Sequence, residues 1–191
     1  MTSHLRPAAV IFGALTLICG VLYPLAVSGV AATVFPSQAA GSLVDVDGKT
    51  VGSSLIGQSF SSPQYFWGRP SGTGPMPNNG AGSSGTNQGP TNAALIDAVK
   101  SRIDALKALD PGNAQPIPVD LVTASASGLD PDISPAAARY QAARVAAARK
   151  FNTNQVLALI ERHTQPQYLG FFGEPRVNVL ALNLALDQTG R

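Results

Sequence analysis

The chain is 191 residues long, with 13 Lys and Arg against 11 Asp and Glu and a net charge of +2. So mild and dispersed an excess excludes an electrostatically held nucleic-acid partner. A single cysteine, Cys19, excludes an intramolecular disulfide, so any folded domain here is held by packing.

No charged residue occurs between Arg6 and Asp45, and residues 8–35 are almost continuously apolar. A bilayer core about 30 Å thick needs roughly 20 apolar residues in a helix, because every backbone polar group in hydrocarbon must bond within its own segment. The run meets that length and predicts a transmembrane helix over 8–35, preceded by a short N-terminus (1–7) and followed by one soluble domain (36–191). A cleaved secretory signal is the rival reading, and Ala26-Val27-Ser28 has the small residues of a cleavage site. Such signals have an apolar region of about 7 to 15 residues, whereas this run continues through Val30, Ala31, Ala32 and Val34. His4 and Arg6 precede the span, and no Lys or Arg follows until Lys49. The positive-inside rule therefore places the N-terminus in the cytoplasm and the domain outside. Gly13, Gly20, Pro24, Ser28 and Gly29 allow close approach of another membrane helix, although Gly and Pro are common in such helices anyway. Cys19, inside the run, reads as a small lipid- or helix-facing residue rather than a reactive thiol.

Beyond the span, Asp47-Gly48 lies between the β-prone runs 41–46 and 49–57, a strong signal for a two-residue hairpin turn. The same place contains Gly48-Lys49-Thr50, which resembles the end of a phosphate-binding loop. That loop needs a glycine five positions earlier, where the chain has Leu43. Gln64-Tyr65-Phe66-Trp67-Gly68-Arg69-Pro70 predicts a short, half-buried aromatic strand rather than a cation–π platform. From Ser71 to Pro90 the composition turns to Gly, Ser, Asn and Pro, a flexible loop of about twenty residues, longer than compact domains usually carry without a function.

Helices dominate the remainder. Thr91 or Asn92 caps a segment with Leu95, Ile96, Val99, Ile103 and Leu106 at helical spacing, stopped by Asp110-Pro111-Gly112. The run 119–128, small hydroxyl residues ending in glycine, reads as a tightly packed turn, with an anion-binding nest of backbone donors as the alternative. Ser134-Pro135 starts an alanine-rich helix to Lys150. Its Arg139, Arg144 and Arg149 rotate round the axis rather than lining one stripe, so each is expected to be solvated or paired singly. Asn152 or Thr153 caps a further helix carrying Val156, Leu157, Leu159 and Ile160, with His163 placed to complement the dipole at its end. The tail 177–186 alternates like a strand, but its Leu and Ala content favours helix. The class is α+β: one N-terminal transmembrane helix, then a single extracytoplasmic domain with a small antiparallel sheet and several helices.

These residues assemble no catalytic constellation, assign no cofactor-binding residue and offer no metal set. Asp130-Pro131-Asp132 has too few ligands to specify calcium, and nothing supplies His163 with a nucleophile and an acid. The residues alone describe a binding or assembly module on an anchor.

Leu22-Tyr23-Pro24-Leu25, the runs 52–58, 65–71 and 120–130, Ile133-Ser134-Pro135, Val177-Asn178-Val179 and the run 182–187 resemble, in order and over nearly the whole chain, the KdpC family. Members of that family belong to the KdpFABC complex, the bacterial high-affinity potassium-transporting P-type ATPase. The resemblance implies a complex in the inner membrane with the channel-like KdpA, the ATP-hydrolysing KdpB and the small KdpF. It further implies a non-catalytic chain acting as a catalytic chaperone that raises the ATP affinity of KdpB, with ATP met only through that complex. The charge bias puts 36–191 on the face opposite cytoplasmic ATP, so a purely structural or gating cap on KdpA is the alternative. The uncharged, glycine-rich loop 78–90 is where the chain departs from the family pattern.

Overall fold

The apolar N-terminal run is helical from Leu5 to Val34 in the computed structural model, which describes residues 4–189. It comprises α1 (Leu5–Leu17), a π-turn (Ile18–Leu22) and α2 (Tyr23–Val34), together long and apolar enough to cross a membrane. The π-turn lies just before Pro24, whose missing N–H and bulky ring do not fit a regular ladder; widening one turn absorbs both. Phe35 leaves the helical region, and Pro36 opens the single turn of α3 (Pro36–Ala39).

The chain divides into two packing units, Met1–Val51 and Gly52–Arg191. The expected hairpin, β1 (Leu43–Val46) and β2 (Lys49–Ser53), forms where the first unit ends. Its central residues Asp47 and Gly48 have φ of 51° and 76°, the positive values that a tight two-residue turn demands. Thr50 Oγ1 donates to Asp45 Oδ1 across it at 2.6 Å.

In the second unit, Asn92 caps α4 (Ala93–Leu109) by accepting from the Ala94 amide at 2.9 Å. Leu106 is the buried residue of this helix, while Val99 and Ile103 pack against the core from its margin. A 3-10 turn (Val119–Leu121) leads to β3 (Asp132–Ile133). Next comes α5 (Pro135–Arg149), capped by Ser134 and closed by Lys150 in the left-handed conformation. Asn152 and Gln155 form a reciprocal capping box at the start of α6 (Thr153–His163). Two strands the sequence does not announce, β4 (Thr164–Gln165) and β5 (Arg176–Asn178), precede α7 (Val179–Thr189). The tail is thus helical as expected, except that its first two residues, Val177 and Asn178, belong to a strand.

β5 is the middle strand of an antiparallel sheet ordered β3-β5-β4, with Ile133 and Thr164 both opposite Val177. α5 packs on α6, α6 on α7, and all three touch β5. The core between them combines small residues of α5 (Ala137, Ala138, Ala142, Ala146) with Val156, Ile160, Val177, Leu182 and Leu186. Alanine on the inner face of α5 permits this close approach; larger side chains there would overpack it.

The expected aromatic strand at 64–70 does not form. Phe66 is completely buried, yet its backbone pairs with no strand. Asn183 of α7 accepts from the Phe66 amide at 2.8 Å and donates to the Phe66 carbonyl at 3.0 Å. Gln141 of α5 does the same for Trp67, at 2.8 and 3.0 Å. Two buried carboxamides thus replace the neighbouring strand, since each offers the donor and acceptor that a peptide group would. Asn183→Leu would leave both polar groups of Phe66 buried and unpaired. Chemical denaturation of the detergent-solubilised protein is expected to show a loss of about 2–4 kcal/mol.

Candidate functional site

The segment 62–71, flanked by α5 and α7, is held by the buried polar side chains Gln141, Arg144 and Asn183. Arg144 Nη1 donates to the Pro63 carbonyl, and Nη2 to the Tyr65 carbonyl at 3.1 Å and to Gln141 Oε1 at 2.7 Å. Its guanidinium lies 5.5 Å from the centre of the Trp67 ring. Burial lowers the Arg144 pKa below the ordinary arginine value, opposed by the nearby Asp110 and Tyr140 charges. One turn and a half further on, Arg149 donates from Nε to the Gln64 carbonyl and from Nη2 to Asp187, both at 2.7 Å. It also lies over the Tyr65 ring at 4.8 Å, and the Tyr65 hydroxyl donates to the other oxygen of Asp187 at 3.2 Å. Arg139 is exposed. The three arginines therefore diverge as expected, but Arg144 is neither solvated nor ion-paired. Its partners are carbonyls and a ring.

Where the segment emerges, Trp67, Arg69 and Arg102 line a hollow of about 280 Å³ with Ser59 and Ser71. Arg69 Nη1 pairs with Asp130 at 2.9 Å, and Nη2 donates to the Ala124 carbonyl at 3.3 Å. Its Nε is buried and unpartnered among the described residues. Arg102 donates to the Val122 carbonyl at 2.9 Å, and burial lowers its pKa.

The loop 71–90 has no helix or strand, and its Ser71, Thr73, Asn79 and Ser83 side chains bond its own backbone and the facing turn. Ser71 Oγ donates to the Gly128 carbonyl at 2.6 Å and accepts from the amides of Thr73 and Asn78. Thr73 Oγ1 donates to the Met76 carbonyl and accepts from the Asn79 amide. Of the two readings of 119–128, close packing holds. Gly128 has φ of +68°, and a side chain there would meet Thr73 at 2.6 Å and the Ser84 carbonyl at 2.7 Å.

The carboxylates near β3 are likewise engaged. Asp120 accepts from the amide and hydroxyl of Ser134, Asp130 from the Asp132 amide, and Asp132 pairs with Arg176 at 3.1 Å. His163 Nδ1 lies 2.9 Å from the Leu159 carbonyl of its own helix, a structural contact. Among the described residues no three His, Cys, Asp or Glu side chains are grouped as for a metal ion. The arrangement can clamp and present a segment of chain.

Sequence reasoning passed over Gln141, Asn183 and the exposed Tyr168-Leu169-Gly170-Phe171-Phe172. The first two had a signal, a carboxamide among apolar neighbours in each helix, and the third is an apolar cluster with no charge beside it until Glu174.

A sequence model of the KdpC family, described as the c chain of K+-transporting ATPase, matches residues 5–188. The chain belongs to the KdpC family. A potassium-transporting ATPase KdpC subunit of Herminiimonas arsenicoxydans is 70% identical over 188 residues, covering 98% of this chain and 99% of the relative. The KdpC subunit of Janthinobacterium sp. (strain Marseille) is 69% identical over 98% of this chain and 100% of its own length. That of Dechloromonas aromatica (strain RCB) is 62% identical over the whole of both. KdpC is thus one component of a potassium-transporting ATPase. Its apolar N-terminal helix marks it as membrane-associated.

Asp132 provides a pH test of these electrostatics. Burial raises its pKa, and this outweighs the Asn178 hydrogen bond and the Arg176 charge, both of which lower it. A carboxyl with a raised folded-state pKa binds its proton more tightly when folded, so it adds stability below its unfolded pKa and loses it as pH rises through the folded value. Measured against Asp132→Asn, the parent is therefore expected to gain stability as pH falls from 7 into the carboxylate range. Urea titrations of both proteins at several pH values measure that difference.

Proposed function

We propose that the chain is a non-catalytic, single-pass component of an ATP-driven potassium import complex in the bacterial inner membrane, assembling with the channel-like KdpA, the ATP-hydrolysing KdpB and the small KdpF. The N-terminus is cytoplasmic and the domain extracytoplasmic. Family membership supports the complex, and the absence of Lys or Arg between Arg6 and Lys49 supports the orientation. The observation that carries the non-catalytic role is how the polar side chains are used. Gln141, Arg144, Arg149, Asn183 and Asp187, the groups from which chemistry would be built, are all committed to holding residues 63–67.

In this placement the domain and ATP lie on opposite faces of the membrane. A chaperone effect on the ATP affinity of KdpB is then indirect, transmitted through assembly in the bilayer. The small residues of the span are suited to that contact, because helix association in lipid depends on close packing. One observation favours a direct nucleotide contact instead: the hollow with an aromatic ring, two guanidinium groups and the Arg69 Nε that is unpartnered among the described residues. That reading needs the domain in the cytoplasm.

Topology separates the two. Ser84 is exposed on the loop, and Cys19 is the single native thiol. In a Cys19→Ser background, Ser84→Cys is expected to react with a membrane-impermeant thiol reagent in intact cells. Protection until the cells are broken would place the domain with ATP and reverse the proposal.

A further inference from the structure

Between β4 and β5 the chain makes a tight hairpin. The amide of Tyr168 donates to the Phe172 carbonyl and the amide of Phe172 to the Tyr168 carbonyl, both at 2.9 Å. Gln167 Nε2 ties the base by donating to the Gly173 carbonyl at 2.8 Å. Three residues separate the paired Tyr168 and Phe172, and the first two, Leu169 and Gly170, have φ of 54° and 80°, the positive values of a tight turn. On this framework Tyr168, Leu169, Phe171 and Phe172 are 72%, 68%, 66% and 55% exposed, while the nearby Val177 is fully buried. The Phe171 and Phe172 rings contact one another at 4.2 Å between centroids. Four such side chains present on the order of 400 Å² of apolar surface in one place, as much as a whole monomer's largest patch usually offers.

We propose that this tip is a peg that seats in an apolar pocket with a basic rim on another subunit of the transporter. The proposal rests on the chain's working inside that complex. Charge decides between a protein pocket and a lipid surface. From Pro166 to Pro175 there is no Lys or Arg, the one charged residue is Glu174, and the next cation, Arg176, is paired with Asp132. Segments that lie on bilayers combine apolar residues with cations that meet anionic headgroups, and an acid beside the rings opposes that. A preformed turn carrying clustered aromatics is instead what a protein hot spot requires, because little side-chain or backbone freedom remains to be lost on docking.

The experiment uses the full chain expressed with its partner subunits. A photoreactive phenylalanine analogue replaces Phe171, and the irradiated complex is captured through a tag on another subunit. The expected result is a covalent adduct between this chain and another transporter subunit. An adduct with lipid, with a second copy of this chain, or no adduct while the chain is still captured, each overturns the peg and leaves the accessory-subunit reading standing. If the parent chain is not captured at all, that reading falls and the peg falls with it. In parallel, Phe171→Ala should be lost from the immobilised complex at least about tenfold faster than the parent. Unchanged retention overturns the proposal.

Discussion

Buried peptide groups must be hydrogen-bonded, and in this domain the segment 63–67 meets that requirement through side chains rather than a sheet. Removing the segment from water exposes its N–H and C=O groups to a cost of about 1–3 kcal/mol each if unpaired. Gln141 and Asn183 replace a neighbouring strand, while Arg144 and Arg149 bind the carbonyls of Pro63, Tyr65 and Gln64. This constraint positions much else. It allows Phe66 to fill the core, brings Trp67 and Arg69 to the hollow, and holds α5 and α7 to the same stretch of chain. A guanidinium suits the task because its planar fork reaches several carbonyls at once and lies flat beside aromatic rings, which an ammonium cannot reproduce.

What could be read in the sequence was local. The Asp47-Gly48 turn, the Asn92, Ser134 and Asn152 caps and the length of the apolar run all declare themselves within a few residues, and each forms as its chemistry dictates. What could not be read was long-range. The amides that pair with Phe66 and Trp67 lie 117 and 74 residues away along the chain. From the aromatic run alone a strand is the reasonable expectation, because nothing local distinguishes a ladder from two well-placed carboxamides. The two- and three-residue strands β3, β4 and β5 are too short to show alternation, and pairing with one another creates them. The candidate site was legible only in part: the arginines of α5 were visible as residues, but not the burial of Arg144.

Electrostatically, the domain uses Arg144 and Arg149 to bind backbone and turns apolar residues outward at one hairpin. Asp132 shows how strongly burial weighs, since it is penalised even with Arg176 at 3.1 Å and an Asn178 hydrogen bond. Such pairs add little net stability, because desolvation offsets the Coulombic gain. Their value lies in specificity. A carboxylate or guanidinium with fixed partners permits one arrangement of β3 beside β5 and of the 62–71 segment between its helices.

That use of charge bears on the non-catalytic role proposed for this chain. A catalytic site keeps a nucleophile, a base or a cation poised for substrate, and pays for it in unsatisfied or strained groups. Here Asp187, Arg149 and Tyr65 bond one another, Arg144 donates to two backbone carbonyls and to Gln141, and His163 bonds its own helix. The groups left with something to offer are of another kind: a small-residue membrane helix, a hollow edged by Trp67 and two arginines, and an aromatic turn that stands away from its own core. Each of these suits contact with another molecule, in keeping with the assembly role proposed above.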